Sequence, residues 1–248
     1  MMYRIKTSDM TVLFDLLSEK YDLFIPQSGG DGASYFKKYE SGCEYRCGTN
    51  TALSPKDLFF PQTEDLMRFK TEGKKIGLTD IRQSRGDFII FGVRACDVKS
   101  FEVLDRVFLS EPADSIYAEK RAHGTVVSVA CGKPSETCFC RTYGIDPAEP
   151  PGDVGCFICD GYLYLQPNTA SGEKLTGLCA GVLEETDGTA VGAEKERIRK
   201  TLDKLPLKDL TTDGFGSGKT GELFDREEWA ELSQSCLGCG TCTFVCPT

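Results

Sequence analysis

Four cysteines within eleven residues constrain this chain more than any other feature. In the stretch CLGCGTCTFVCPT, Cys236, Cys239, Cys242 and Cys246, followed by Pro247, form the run C-x2-C-x2-C-x3-C-P. The two-residue gaps let one tight loop wrap three thiolates around a face of a four-iron cubane, and this spacing is one that iron–sulfur clusters use. Gly238 and Gly240 allow a compact backbone whose exposed N–H groups can face cluster sulfurs, and Pro247 prevents the loop from continuing as a helix. Two C-x2-C steps also suit zinc. Structural zinc sites, however, usually draw their ligand pairs from separated hairpins, so the cluster reading leads. Where two clusters share a module, the fourth cysteine of such a run ligates the other cluster. Either Cys246 closes a single cluster here, or the sequence is the front part of a longer protein; the expectation is truncation.

Cysteine usage is the outlier in an otherwise ordinary composition. Thirteen of 248 residues are Cys, and neither a signal peptide nor an apolar run near the ~20 residues of a membrane span is present. The expected location is cytoplasmic, where thiols serve metal ligation or redox chemistry before disulfides. The net charge of −9 and the lack of a basic block argue against a nucleic-acid partner.

The remaining pattern predicts an α/β fold, with α+β as the alternative: an open mixed sheet with helices, followed by a C-terminal ferredoxin-like module. Leu13, Leu16 and Leu17 lie at helical spacing within residues 10–21, and DLFIP follows as a strand. Ser54 and Pro55 suit the start of a helix. DFIIFGV and GTVVSVAC are short apolar runs of the buried parallel type. Between them lie two helical patterns, the first with Asp97 as its expected cap and Val98, Phe101, Leu104 and Phe108 on one face. That order predicts a crossover unit placing Cys96 and Cys131 past the carboxyl ends of two strands, the edge where open α/β sheets bind ligands. GYLYLQ reads as a hairpin strand, KERIRKTLDKL as a helix and TTDGFGSGKTGE as a linker. DREEWAELSQS reads as a last helix, with Asp225 and Glu228 as a capping box and Trp229 anchoring it to the domain. The expected division is a cluster-bearing domain over 1–222 and the start of the ferredoxin-like module over 223–248.

Cys131, Cys138 and Cys140 in ACGKPSETCFC, with Cys96, make a second set of four thiols. Spacing alone leaves packing thiols and ligands both open. C-F-C favours ligands if the segment is extended, since both sulfurs then share one side and Phe139 takes the other.

The stretches FFPQTEDLMRF, FGVRACDVKSFEVLDRVF, ACGKPSETCFC and CLGCGTCTFVCPT occur in that order in one family. The chain resembles the iron–sulfur electron-transfer subunits typified by the iron–sulfur subunit of anaerobic sulfite reductase and the β subunit of soluble sulfhydrogenases, over roughly residues 53–248. The resemblance implies two 4Fe-4S clusters, one on Cys96, Cys131, Cys138 and Cys140, the other on Cys236, Cys239, Cys242 and Cys246, the fourth of which could be shared. It implies one cluster more if a further cysteine run follows. It also implies a flavoprotein partner of the NAD(P)H-reductase type and a terminal reductase, hydrogenase or heterodisulfide-reductase-like subunit. The chain itself is then a non-catalytic electron-transfer subunit with no catalytic residues. Two rival readings stand beside this one: a zinc-stabilised assembly module, and an enzyme whose substrate meets an open cluster iron near Cys96.

Cys43, Cys47, Cys156, Cys159 and Cys179 match none of these motifs. On a strand, Cys156 and Cys159 point to opposite faces, so packing is their expected role, and an extra metal site on Cys43 and Cys47 is disfavoured. GFGSGKTG has Asp213 where a phosphate-binding loop needs Gly, GVRACD is no dinucleotide fingerprint, and the lone His123 sits at a helix end. Arg94 could tune a cluster at Cys96 or pair with Asp97.

Overall fold

A computed structural model describes residues 1–46, 50–80 and 86–248. The elements in chain order are β1 (Met2–Lys6), α1 (Met10–Ser18), β2 (Asp22–Ser28), β3 (Ser34–Lys38), β4 (Met67–Glu72), β5 (Lys75–Asp80) and β6 (Phe88–Val93). They continue with α2 (Ala95–Phe108), α3 (Ser115–His123), β7 (Gly124–Val129), β8 (Val154–Cys159), β9 (Tyr162–Pro167), α4 (Ala170–Leu178), β10 (Glu184–Thr186) and α5 (Thr189–Leu202). Three short helices follow: α6 (Lys219–Glu222), α7 (Glu228–Ser233) and α8 (Thr241–Val245).

Eight strands form one open mixed sheet in the order β10-β1-β9-β8-β7-β6-β2-β3. Its centre, β2-β6-β7-β8, is parallel, and antiparallel strands close both flanks. The expected α/β class is therefore the observed one. Central strands carry continuous apolar runs because both faces are covered. One face packs Leu13, Phe14 and Leu17 of α1 and Leu175 of α4 against Ile89, Phe91 and Val127. The opposite face packs Val98, Phe101 and Leu104 of α2 and Tyr117 of α3 against Ile90, Val93 and Val126. Farther along that face, Val191 and Ile198 of α5 cover Phe157 and Tyr164.

A bulge in β6 shapes the edge that matters for function. Register with β7 shifts between Phe91 and Val93, so these two residues lie on opposite faces although they are two apart. Gly92 makes this possible at φ +93°, where a Cβ would also press on Pro26 at 3.0 Å. The displaced strand end then feeds directly into α2.

Several local expectations are corrected. Helix α1 stops at Ser18, short of residue 21. Ser54 and Pro55 do begin a helix, but it is a single 3-10 turn, Pro55–Leu58. Arg94, not Asp97, precedes α2 as its cap, which leaves Asp97 inside the first turn. Helix α7 covers only Glu228–Ser233 and is preceded by Glu227, so Asp225 does not cap it. Trp229 is 52% exposed and donates from Nε1 to the Leu223 carbonyl at 2.5 Å, so it ties its own segment together and does not anchor it to the sheet domain.

Every residue from 203 to 248 is exposed or half-buried. The β4–β5 hairpin, unforeseen in the sequence, is likewise exposed along its full length.

Candidate metal centre

The sheet edge gathers the first thiol set. Cys96 lies in the first turn of α2, just beyond β6, and Cys131 lies two residues beyond β7, the adjacent parallel strand. The β7–β8 connection returns Cys138 and Cys140 to the same edge. Cys138 closes a turn onto the Ser135 carbonyl at 3.1 Å, and its Sγ receives the Ser135 N–H at 3.3 Å. Cys140 opens the 3-10 turn Cys140–Tyr143. The intervening Phe139 has φ −135° and ψ 38°, so this segment is a looped arm and not the extended strand that C-F-C suggests. Phe139 instead faces outward beside Tyr143, with ring centroids 5.8 Å apart.

These four thiols are near enough to feel one another's charge. Burial, then Asp97, Cys140 and Cys131, pushes the Cys96 thiol up to about 12. Burial, then Cys138 and Cys131, pushes Cys140 up to about 11. Cys96 nevertheless retains an open surface, so it lines a crowded recess and is not enclosed. Solvent at that opening screens part of the repulsion from its neighbours. Arg94 ties the two strand ends together: it is buried, it donates from Nη1 to the Ala130 carbonyl at 3.4 Å, and its charge opposes the rise that burial causes in the Asp97 carboxyl. Both roles suggested for it thus meet at one place, beside Cys96 and before Cys131.

The terminal thiols are held differently. Gly238 and Gly240 take left-handed φ values of 67° and 72°, which bend the loop around Cys239 and cap α8. Cys242 rides on α8, and Cys246 leaves the helix at ψ 131°, the extended conformation that a following Pro favours. The Gly238 N–H reaches Cys236 Sγ at 3.4 Å, while Thr241 Oγ1 and Thr248 Oγ1 lie 3.2 and 3.3 Å from Cys239 and Cys246. Those hydroxyl and backbone contacts hold the Cys239 and Cys246 thiols below their ordinary value. The structure thus brings the first set together and carries the second on the terminal segment, with Cys236, Cys239 and Cys242 exposed and Cys246 half-buried.

Among the described residues, no three His, Cys, Asp or Glu side chains close on a point that one metal ion could fill. A tetrahedral zinc ion would require sulfurs about 3.8 Å apart, from Zn–S bonds of about 2.3 Å. A four-iron cluster takes one thiolate on each iron and spreads them more widely. The donor chemistry of both sets fits such a cluster: all are thiols, with Ser135 and Asn50 donors beside the first set and glycine and threonine donors beside the second.

The remaining cysteines separate as expected. Cys156 is buried in the α1 side of the core, and Cys159 packs on the α5 side. Cys179 is buried and Cys43 half-buried against the α1 side. Cys47 lies outside the described residues, and with it the suggested Cys43–Cys47 site. His123 Nδ1 pairs with Asp87 at 2.7 Å at the exposed end of α3. The stretch GFGSGKTG is exposed, with turns over 214–218 that run into α6 at Lys219.

Two contacts were invisible in the sequence. Asn50 Nδ2 approaches Cys138 Sγ at 3.8 Å, and Lys56 Nζ donates to the Cys246 carbonyl, across 88 and 190 residues of chain. The only local signal near either was the helix start at Ser54-Pro55.

With that geometry in place, known proteins supply a comparison. No family model matches the chain. Sulfhydrogenase 2 subunit beta of Pyrococcus furiosus is 32% identical over 208 residues, covering 81% of this chain. The chain resembles a sulfhydrogenase β subunit. It spans 58% of that relative's length.

Proposed function

We propose that the chain is an iron–sulfur electron-transfer subunit of a cytoplasmic oxidoreductase complex. It relays electrons between a flavoprotein partner of the NAD(P)H-reductase type and a terminal reductase or hydrogenase subunit. The observation that carries this reading is the pair of four-thiol sets, one at a parallel sheet edge and one in a C-x2-C-x2-C-x3-C-P run. Similarity to a protein named as a sulfhydrogenase subunit supports the same reading.

In this proposal Cys96, Cys131, Cys138 and Cys140 hold one 4Fe-4S cluster within a domain over residues 1–222. Cys236, Cys239, Cys242 and Cys246 hold another in a module that begins at residue 223. When bound, each cluster supplies one-electron redox chemistry. The chain's own contribution is placement and electrostatics. The β6–β7 edge fixes the Cys96 and Cys131 arms, Arg94 ties those arms together, and the start of α2 presents backbone N–H groups to an anionic group.

Iron and acid-labile sulfide per chain, measured on anaerobically purified protein, test the proposal. About eight of each, falling to about four in Cys138→Ser, are the expected values for two cubanes. About four in both proteins would remove the sheet-edge assignment. Zinc with almost no iron would sink the electron-transfer reading.

A further inference from the structure

We propose that the segment Asn50–Leu58 is a strap joining the two thiol sets, and that Lys56 is a positioning residue that sets the potential of the terminal cluster. This inference rests on the iron–sulfur reading above and deepens it. Two contacts from one short segment motivate it. Asn50 touches Cys138 of the sheet-edge set, and Lys56 holds the carbonyl of Cys246 in the terminal set.

The strap is itself firmly seated. The Ala52 N–H bonds the Ser34 carbonyl at 2.8 Å, Pro55 is buried, and Phe59 just beyond is fully enclosed against Phe101, with ring centroids 5.0 Å apart. A segment fixed to the core at both ends, with its middle touching both thiol sets, determines how far apart they stand. The remainder of the terminal segment offers little competing restraint, since its other links to the domain include Thr142 Oγ1 to the Leu210 carbonyl at 2.9 Å and Arg141 to Asp203, both far along the chain from the cysteines.

Lys56 adds charge to position. The chain carries a net −9, and a reduced cluster adds one more negative charge at the terminal loop. A half-buried ammonium at the Cys246 carbonyl stabilises an electron added at that end of the set. The sheet-edge set has Arg94 in the corresponding place, so each set is given its own cation.

The test is a redox titration of the full chain followed by electron paramagnetic resonance, with dithionite supplying one electron per cluster. It compares the parent protein with Lys56→Gln and Lys56→Arg, each also in a Cys138→Ser background that leaves only the terminal signal. Iron content and circular dichroism are recorded for every variant. Lys56→Gln is expected to lower the reduced-to-oxidised ratio of the terminal cluster about tenfold at fixed poise, equivalent to about 59 mV for a one-electron couple. Lys56→Arg should restore it, and the sheet-edge signal should not move. Lys56→Gln should also speed proteolysis in the 236–246 loop. An unshifted terminal potential with full iron, or equal shifts in both clusters, overturns the inference while leaving the electron-transfer reading intact. Absence of iron in the parent overturns both, and the metal analysis reports that result separately.

Discussion

At the sheet edge, burial pushes the thiols of Cys96 and Cys140 up to about 12 and about 11, whereas on the terminal loop threonine contacts hold Cys239 and Cys246 below the ordinary thiol value. The two sets invert each other's strengths. The first has its geometry built by paired strands and a helix start, but its protons must be displaced before iron binds. In the second, contacts lower the thiols of Cys239 and Cys246, while its backbone is shaped by two left-handed glycines, a five-residue helix and the hold of Lys56. Metal ligation releases thiol protons, so the first set draws on fold stability to hold its donors and the second draws on the bound group to order its loop. The comparison predicts that damage to the core and damage to the tail will have different consequences.

The largest effect should come from the core beneath Cys96. Phe101 is 1% exposed and meets Phe59 edge-on, with an interplanar angle of 77°. Replacing Phe101 with Ala should cost about 3–5 kcal/mol, as a buried aromatic deletion does. Denaturant unfolding checks the loss, and iron analysis should show the sheet-edge cluster failing before the terminal one. Equal loss from both sets would break the comparison.

The second test uses alkaline pH. Cys156 is fully buried in the core, and burial alone raises its pKa; burial also raises buried Cys179, to about 11. A thiol whose folded value lies above its unfolded one binds its proton more tightly in the native state. Its stabilisation is complete below about pH 8.5 and is lost as pH rises toward the folded value. Each such thiol should therefore remove about 1.4 kcal/mol per pH unit above about pH 9. Over about one to two units, calorimetry should find a steep fall in stability that is shallower in Cys156→Ala and Cys179→Ala. Cys239→Ala should leave the alkaline slope unchanged, because contacts lower that thiol and its linkage runs the other way, toward loss as pH falls. A slope insensitive to both core substitutions would show that these thiols are better solvated than their burial implies.

What the sequence revealed follows the same division. The β6-α2-α3-β7 unit was legible because DFIIFGV and GTVVSV are continuous apolar runs, which strands buried on both faces require. The opposite facing of Cys156 and Cys159 was legible for an equally simple reason, the two-residue period of a strand. The short flanking strands β1, β3 and β10 were not, since strands of three to five residues carry too little periodicity. The β4–β5 hairpin escaped because its apolar residues Met67, Phe69, Ile76 and Leu78 are exposed, so their alternation marks no buried face. The convergence of four thiols on one edge was partly legible, through two strand ends. The Asn50 and Lys56 contacts were not, because only the folded chain brings together residues so far apart in sequence.

The smallest expected effect isolates the tail. The sequence pattern predicts that Trp229 binds the last helix to the domain, yet its ring is half exposed and its indole hydrogen bond returns to Leu223 within the same segment. Deleting a large aromatic from a packed site costs several kcal/mol, whereas a surface substitution usually stays within about 0.5 kcal/mol. Trp229→Ala should therefore leave the unfolding midpoint of the domain almost unchanged and alter only local protection in residues 223–233, read by hydrogen exchange. The two substitutions share a chemistry, the loss of an aromatic ring, and differ in what surrounds it. If Trp229→Ala cost as much as Phe101→Ala, the tail would be docked on the domain through that ring, and the terminal thiols would sit in a framework as fixed as the sheet edge.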